Sequence, residues 1–397
     1  MNDTTQTTIR ATYMRGGTSK GIFFAVSDLP AAVRDDPARR DHVLMRVIGS
    51  PDPYGTQIDG MGGATSSTSK VVLISPSSRP DCDVDYLFGA VPIKDSVIDW
   101  SGNCGNLTSA VGPFAITRGM VTAPADGRAP VRIWQANIGK RIVAHVPMAG
   151  GVVVELGAFR LDGVGFPAAE VELEFLDPGA EAEGSIGGTF PTGRCIETID
   201  VPGFGLVEAT LINLGNPTIF VDAAALKLDG AEMPSEVNGN PALLEVLEYL
   251  RAEGAVRMGL TESRAAATAQ RPHTPKIAFV APPRSYVSSD GRAVDAAAID
   301  LTVRIMSMGK LHHAITGTGA VAVAGAAAIP GTIVSRLFAA AQPRVRIGHP
   351  AGTLPTGAVV EERNGTWHVA KVMMSRSARR LMDGVVYVPS TMLHDAG

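Results

Sequence analysis

Two stretches of the sequence set reactive groups beside glycine. The first, Gly102-Asn103-Cys104-Gly105-Asn106, leads into the small-residue apolar run 107–116. A helix over that run puts Cys104 at its N-terminus, where unpaired N–H groups and the helix dipole favour an anion. The same field lowers a thiol pKa below its free value of about 8.5, giving a thiolate or a ready proton donor. A buried structural cysteine has no need of flanking Gly and Asn, so the segment reads as chemistry. The second stretch, 59–70, is DGMGGATSSTSK. It fails as a phosphate loop, which requires G-x-x-x-x-G-K-[ST], because Ser69 precedes Lys70 and Val71 follows it. It reads instead as an anion cradle, with backbone N–H groups and the hydroxyls of Ser66, Ser67, Thr68 and Ser69 turned to a carboxylate. Lys70 opens an apolar strand, where burial and a neighbouring cation would lower its pKa from about 10.4 and let it act as a base.

Weaker signals surround these two. Residues 14–21, MRGGTSKG, bring Arg15 and Ser19 together after a strand as a further anion contact. Thr316, Gly317 and Thr318 open a second small-residue helix, a candidate carboxylate site at a helix N-terminus. None of the eight histidines has HExxH or similar spacing, so no metal is expected. The adjacent His312 and His313 cannot both face one side of a strand, so at most one is expected to enter a site. No G-x-G-x-x-G links a strand to a helix, and no cofactor is expected.

The elements that position these groups are mostly strands. Runs at 21–26, 70–75, 84–90, 131–135, 152–156, 209–214, 218–222, 276–281, 301–306 and 367–373 are bounded by turn residues. Helices are expected over 39–48 and over 242–253, the latter opened by Asn240-Pro241 and closed by Gly254. Two more follow the glycine clusters at 102–105 and 317–319. This is an α+β pattern without regular βαβα alternation. A short internal repeat runs through it in order. GTSKGIFF (17–24) matches GNPTIFV (215–221), TSKVVLIS (68–75) matches TPKIAFVA (274–281), and CGNLTSAVG (104–112) matches TGTGAVAVAG (316–325). The offsets are near half the chain, Lys276 becomes the partner of Lys70, and two similar lobes are expected to face each other. The glycine-rich stretch 184–193 is the expected boundary. It divides the chain into a first lobe, 1–184, and a second, 185–375.

Composition narrows the function classes. The chain has 397 residues, 45% of them apolar, enough for two or three domains at roughly 150 residues each. Lys+Arg is 35 and Asp+Glu 39, which argues against a nucleic-acid partner. The apolar stretch 314–331 is broken by glycine, threonine and Pro330, so it reads as a buried helix and no membrane partner is expected. The N-terminal residues MNDTTQTTIR lack a basic region before an apolar run, and Cys82, Cys104 and Cys195 form no CxxC pair. A reducing cytoplasm is the expected compartment.

With MRGGTSKG (14–21), the segments IGSPDPYGTQIDGMGGATSSTSKVV (48–72), DWSGNCGNL (99–107) and SRSARRLMDGVVYVP (375–389) make a pattern that resembles the PrpF family. These are 2-methylaconitate cis-trans isomerases of propionate catabolism, in the 2-methylcitrate cycle. More remotely the chain is similar to the diaminopimelate epimerase and proline racemase fold. The resemblance implies two pseudo-symmetric lobes, each a mixed sheet rolled around a central helix, with the site in the cleft and the C-terminal segment 376–397 returned to the first lobe. It places the family's lysine on Lys70 and its cysteine on Cys104 as the catalytic pair. Arg15, Ser19, Ser66, Ser67, Thr68, Ser69, Asn103, Gly105, Asn106, Lys276, Thr316, Gly317 and Thr318 are the expected substrate contacts. The second cysteine of the remote epimerases falls on Thr316, which counts against a two-thiol racemase. The implied reaction is cofactor-independent isomerisation of a small polycarboxylate. A 4-oxalomesaconate tautomerase, which shares MRGGTSKG and the lysine/cysteine pair, and a non-catalytic anion-binding protein stay in view, and assembly as a homodimer stays open.

Overall fold

The computed structural model describes residues 5–179, 188–337, 344–363 and 365–393. The expected boundary at 184/185 lies outside them, as do the last four residues of the C-terminal segment. In the first half, β1 (Gln6–Gly16) turns at Gly17 into antiparallel β2 (Ser19–Ala25). Gly17 has φ 52°, and a β-carbon there would collide with the Asn106 side chain. Strand β3 (Lys70–Pro76) runs parallel to β2, β4 (Val84–Ala90) antiparallel to β3, β5 (Gly127–Gln135) parallel to β4, and β6 (Lys140–Ala149) antiparallel to β5. A seventh strand, β7 (Glu170–Leu176), lies on β6, and the long last strand, β14 (Thr366–Pro389), pairs with both β7 and β1. The sheet therefore closes around α2 (Thr108–Thr117), whose residues 108–115 are all buried. A helix apolar on every side belongs inside a core. Its small residues let the wall come close, and a β-carbon on Gly112 would meet Val146 at 2.6 Å.

The second half repeats the ladder. Strands β8 (Gly205–Leu214) and β9 (Asn216–Asp222) are antiparallel, β10 (Lys276–Ala281) is parallel to β9, and β11 (Leu301–Ser307) antiparallel to β10. Then β12 (Arg344–His349) is parallel to β11 and β13 (Gly352–Arg363) antiparallel to β12. Helix α4 (Gly317–Ala328) occupies the place of α2. Parallel neighbours require a crossover, and in each half both crossovers carry a long helix, with shorter helical turns beside some of them. The long helices are α1 (Pro37–Ile48) and α2 in the first half, α3 (Pro241–Arg257) and α4 in the second. The order antiparallel, parallel, antiparallel, parallel, antiparallel is the same in both, which is the structural form of the sequence repeat. Lys70 and Lys276 are the first residues of β3 and β10. Residues Gly384 and Val388 of β14 lie opposite Ala11 and Thr7 of β1.

Two expectations fail for local reasons. Helix α3 does not close at Gly254 but continues to Arg257, because Gly254 is a packing position. A β-carbon there would collide with Ile219 of β9. Only Val152–Val153 of the run 152–156 forms a strand, and the chain leaves the sheet beyond it. Among the described residues no helix is long and apolar enough to cross a membrane.

Candidate active site

The two central helices meet head to head. The carbonyl of Cys104 accepts the N–H of Thr108 (3.0 Å) and that of Thr316 the N–H of Ala320 (2.9 Å), so each residue stands at the head of its helix. A β-carbon on Gly105 would lie 2.8 Å from the carbonyl carbon of Gly317, and one on Gly317 2.5 Å from that of Gly105. Only hydrogen fits at that crossing. Two amides tie it from opposite sides. Asn106 Nδ2 donates to the Ile315 carbonyl (3.3 Å) and to Thr18 Oγ1 (3.0 Å). Asn216 Nδ2 donates to the Asn103 carbonyl (3.0 Å) and to Thr318 Oγ1 (3.2 Å). Each amide thus holds a hydroxyl of its own half and a carbonyl of the other. Asn216 Oδ1 also accepts the Asn103 N–H (2.8 Å), which fixes the backbone immediately before Cys104. Thr316 uses its hydroxyl as the cap of α4, accepting from the Gly319 N–H (3.0 Å).

Around the crossing stand two buried lysines. Lys70 Nζ lies 4.9 Å from the centroid of the Phe88 ring, and the His273 ring is 5.3 Å from the same centroid. Lys276 Nζ is 3.1 Å from His273 Nδ1 and 3.4 Å from Ser307 Oγ. His273 Nε2 is 3.2 Å from the Asn103 carbonyl, and its backbone N–H donates to Asp99 Oδ2 (2.7 Å). Because a carbonyl only accepts, Nε2 carries the ring proton and Nδ1 receives the lysine. Lys276 and His273 are each held below their ordinary pKa values, first by burial and then by a neighbouring lysine charge. Lys276 is lowered to about 7, with Lys70 adding to the effect of burial and Asp99 and Cys104 opposing it. Neither the Lys70 amine nor the Cys104 thiol has a hydrogen-bond or ion-pair partner among the described residues, whereas Lys276 has two.

This burial has a measurable consequence. With a folded value near 7 and an unfolded value of about 10.4, Lys276 binds its proton in the unfolded chain but not in the folded one between those limits. Stability therefore rises with pH across that window. In Lys276→Met that contribution is gone. Thermal unfolding should show the variant's Tm, relative to the native chain, highest at pH 7 and declining toward pH 10. A difference independent of pH would contradict the assignment.

The remaining expected contacts divide. Ser67 Oγ reaches across to His312 Nε2 (3.1 Å) and His313 Nδ1 (3.2 Å). Ser69 is engaged away from the helix heads, donating to the Val91 carbonyl (2.7 Å) and accepting from Gln57 Nε2 (2.7 Å). Thr68 bonds within its own turn to Thr65, and Ser66 is half-buried in that turn. Arg15 donates to the carbonyls of Gly17 (3.0 Å) and Ser377 (2.9 Å), and with Ser19, Ser67 and Thr68 it lines a groove of about 650 Å³.

The two histidines correct the sequence reading. Both rings approach Ser67, stacked 4.6 Å apart at 24°. The alternation rule does not apply to them, since strand pairing ends at Leu311 and the chain there is a loop. Sequence reasoning also missed His273, Asp99, Asn216 and Arg376. The repeat offset that maps Lys70 onto Lys276 maps Ser67 onto His273, so the first was within reach. Arg376 is buried, donates to Asn106 Oδ1 (2.9 Å) and to the Ser375 carbonyl (3.1 Å), and is lowered to about 10 by burial, against the opposing influence of Cys104.

Comparison with known proteins gives a concordant result. The family model described as "PrpF protein" matches residues 6–389. A 2-methyl-aconitate isomerase of Shewanella oneidensis is 56% identical over 97% of this chain and 98% of its own. One from Cupriavidus necator is also 56% identical, over 98% and 99%. The crystal structure of a methylitaconate-delta-isomerase superposes with a TM-score of 0.76 at 38% identity, covering 98% of both chains. That of a hydroxyproline epimerase from Agrobacterium vitis superposes at 0.56 with 12% identity, covering 96% and 93%, a likeness of fold alone. The α+β architecture of two rolled halves is the diaminopimelate epimerase-like fold, and the chain belongs to the PrpF family.

Proposed function

We propose that the protein is a cofactor-independent isomerase of an unsaturated tricarboxylate, 2-methylaconitate, acting in the cytoplasm in propionate catabolism, with Lys70 and Cys104 as its acid–base pair. The observation that carries this reading is the pair itself, a buried amine and a buried thiol that have no hydrogen-bond or ion-pair partner among the described residues, beside two helix heads. A C–H group allylic to a conjugated carboxylate is acidified, and its removal gives a dienolate. Rotation about the new single bond, or return of the proton to another carbon, then changes the geometry or position of the double bond. The steps need a base, a proton donor and N–H dipoles or cations for the carboxylate charge that develops. Lys70 takes the proton, Cys104 handles the opposite face, and Arg376 with the free N–H groups at the helix heads holds carboxylates.

The identity of the tricarboxylate rests on the names of the relatives at 56% identity. Purified protein should isomerise 2-methylaconitate with a kcat/KM at least about tenfold above that for 4-oxalomesaconate, since a pocket built for a methyl group discriminates by roughly 10–200-fold. The reverse order would move the chain to the oxo-acid tautomerases, and no turnover of either would leave only anion binding. A second assignment of the base is favoured by one observation, the value near 7 for Lys276. Its two hydrogen bonds to His273 and Ser307 argue for a supporting place instead.

A further inference from the structure

A row of three cations crosses neighbouring strands next to the proposed site. Arg15 on β1 is directly opposite Lys20 on β2 and directly opposite Arg379 on β14. Residues opposite one another in antiparallel strands share a face, and like charges placed so destabilise the sheet. The repulsion is visible in Arg15, which is lowered to about 10 by burial and then by Arg379. Among the described residues the groove that these three line contains no aspartate or glutamate, Arg15 bonds only carbonyls, and Arg379 has no hydrogen-bond or ion-pair partner.

A histidine on this groove also donates. The Ala314 N–H donates to His312 Nδ1 (3.0 Å), so the proton of that buried neutral ring is on Nε2 and is given to Ser67 Oγ. Ser67 then donates its own proton to His313 Nδ1, which leaves His313, an exposed groove residue, with an N–H at Nε2. The same groove has an apolar lining that includes Leu156 and Phe166, 77% and 78% exposed. A small inorganic anion has no use for the apolar lining, whereas a carbon skeleton bearing several carboxylates matches both kinds of lining.

We propose that the groove lined by Lys20, Arg15, Arg379 and His313 is a binding site for a polycarboxylate anion, which captures the substrate at the mouth of the lobe junction. It deepens the isomerase reading and rests on it for the ligand class. Clefts lined by one sign of charge concentrate a counter-ion and raise on-rates by about 10–10³-fold, and the gain falls with ionic strength.

The test uses the saturated tricarboxylate tricarballylate as probe, in calorimetric titrations of the full chain at low and moderate salt. Arg379→Gln should weaken binding by roughly five- to tenfold and Arg379→Glu by more, with a shallower salt dependence in both, as follows from losing a charge at the mouth. Arg344→Gln, a remote exposed arginine, is the control for general charge. Arg379→Lys should restore most of the affinity, which a merely structural role would not predict. Parallel loss of kcat/KM for 2-methylaconitate places the groove on the entry path, and loss of tricarballylate binding without it makes the groove a separate anion site and overturns the capture. Unchanged affinity and salt dependence in both Arg379→Gln and Arg379→Glu would overturn the proposal entirely. Normal tricarballylate binding with no isomerase activity would instead defeat the function proposed above and leave the groove standing.

Discussion

Turnover of 2-methylaconitate in Lys70→Ala is expected to fall by roughly 10⁴-fold, the upper end of what a general base contributes. The allylic C–H is a weak acid, so its deprotonation is the hard step. Lys70 heads β3, buried over Phe88, with no polar partner among the described residues to compete for its amine. Lys276 cannot readily take its place, because His273 and Ser307 hold it. The loss should appear in kcat. If Lys70 were only a carboxylate anchor, the variant would raise KM and leave kcat nearly unchanged, as for lost uniform binding. Steady-state kinetics of the one variant separate the two.

Cys104→Ser is expected to lose less, about 10²-fold. The thiol stands at the head of α2, with its backbone fixed by the paired bonds from Asn103 to Asn216. A serine there keeps the shape but has no useful acidity near neutral pH. Water bound at the same helix head could deliver a proton in part, which is why the loss is smaller than for the base. Comparing kcat for Cys104→Ser and Lys70→Ala checks the ranking. A larger loss in the serine variant would make the thiolate the base, activated by its helix terminus.

Much of this site was legible in the sequence because glycine marks it. Gly105 and Gly317 are fixed by the close crossing of two helices, and the short repeat around them pointed to two facing halves. The parts that stayed hidden depend on contacts across the chain. Asp99 matters because His273, 174 positions away, donates to it. Asn216 matters because it grips Asn103, 113 positions away. Local pattern carries no record of either. The hydroxyl run 66–69 looked uniform in sequence, yet the fold turns Ser67 toward two histidines and Ser69 toward Val91 and Gln57. Strand β13 lies outside the expected runs for a local reason, since Pro355 and Gly357, residues that ordinarily interrupt a strand, sit inside it.

The central claim is proton removal and return on an unsaturated tricarboxylate without a cofactor. Its most direct test is a proton NMR time course of 2-methylaconitate with the purified chain in D₂O, EDTA present and no cofactor added. The account predicts interconversion of the cis and trans isomers, with deuterium entering the allylic position in the native protein and falling to the uncatalysed rate in Lys70→Ala. Isomerisation without any deuterium entering, or allylic exchange in Lys70→Ala at the native rate, would contradict it.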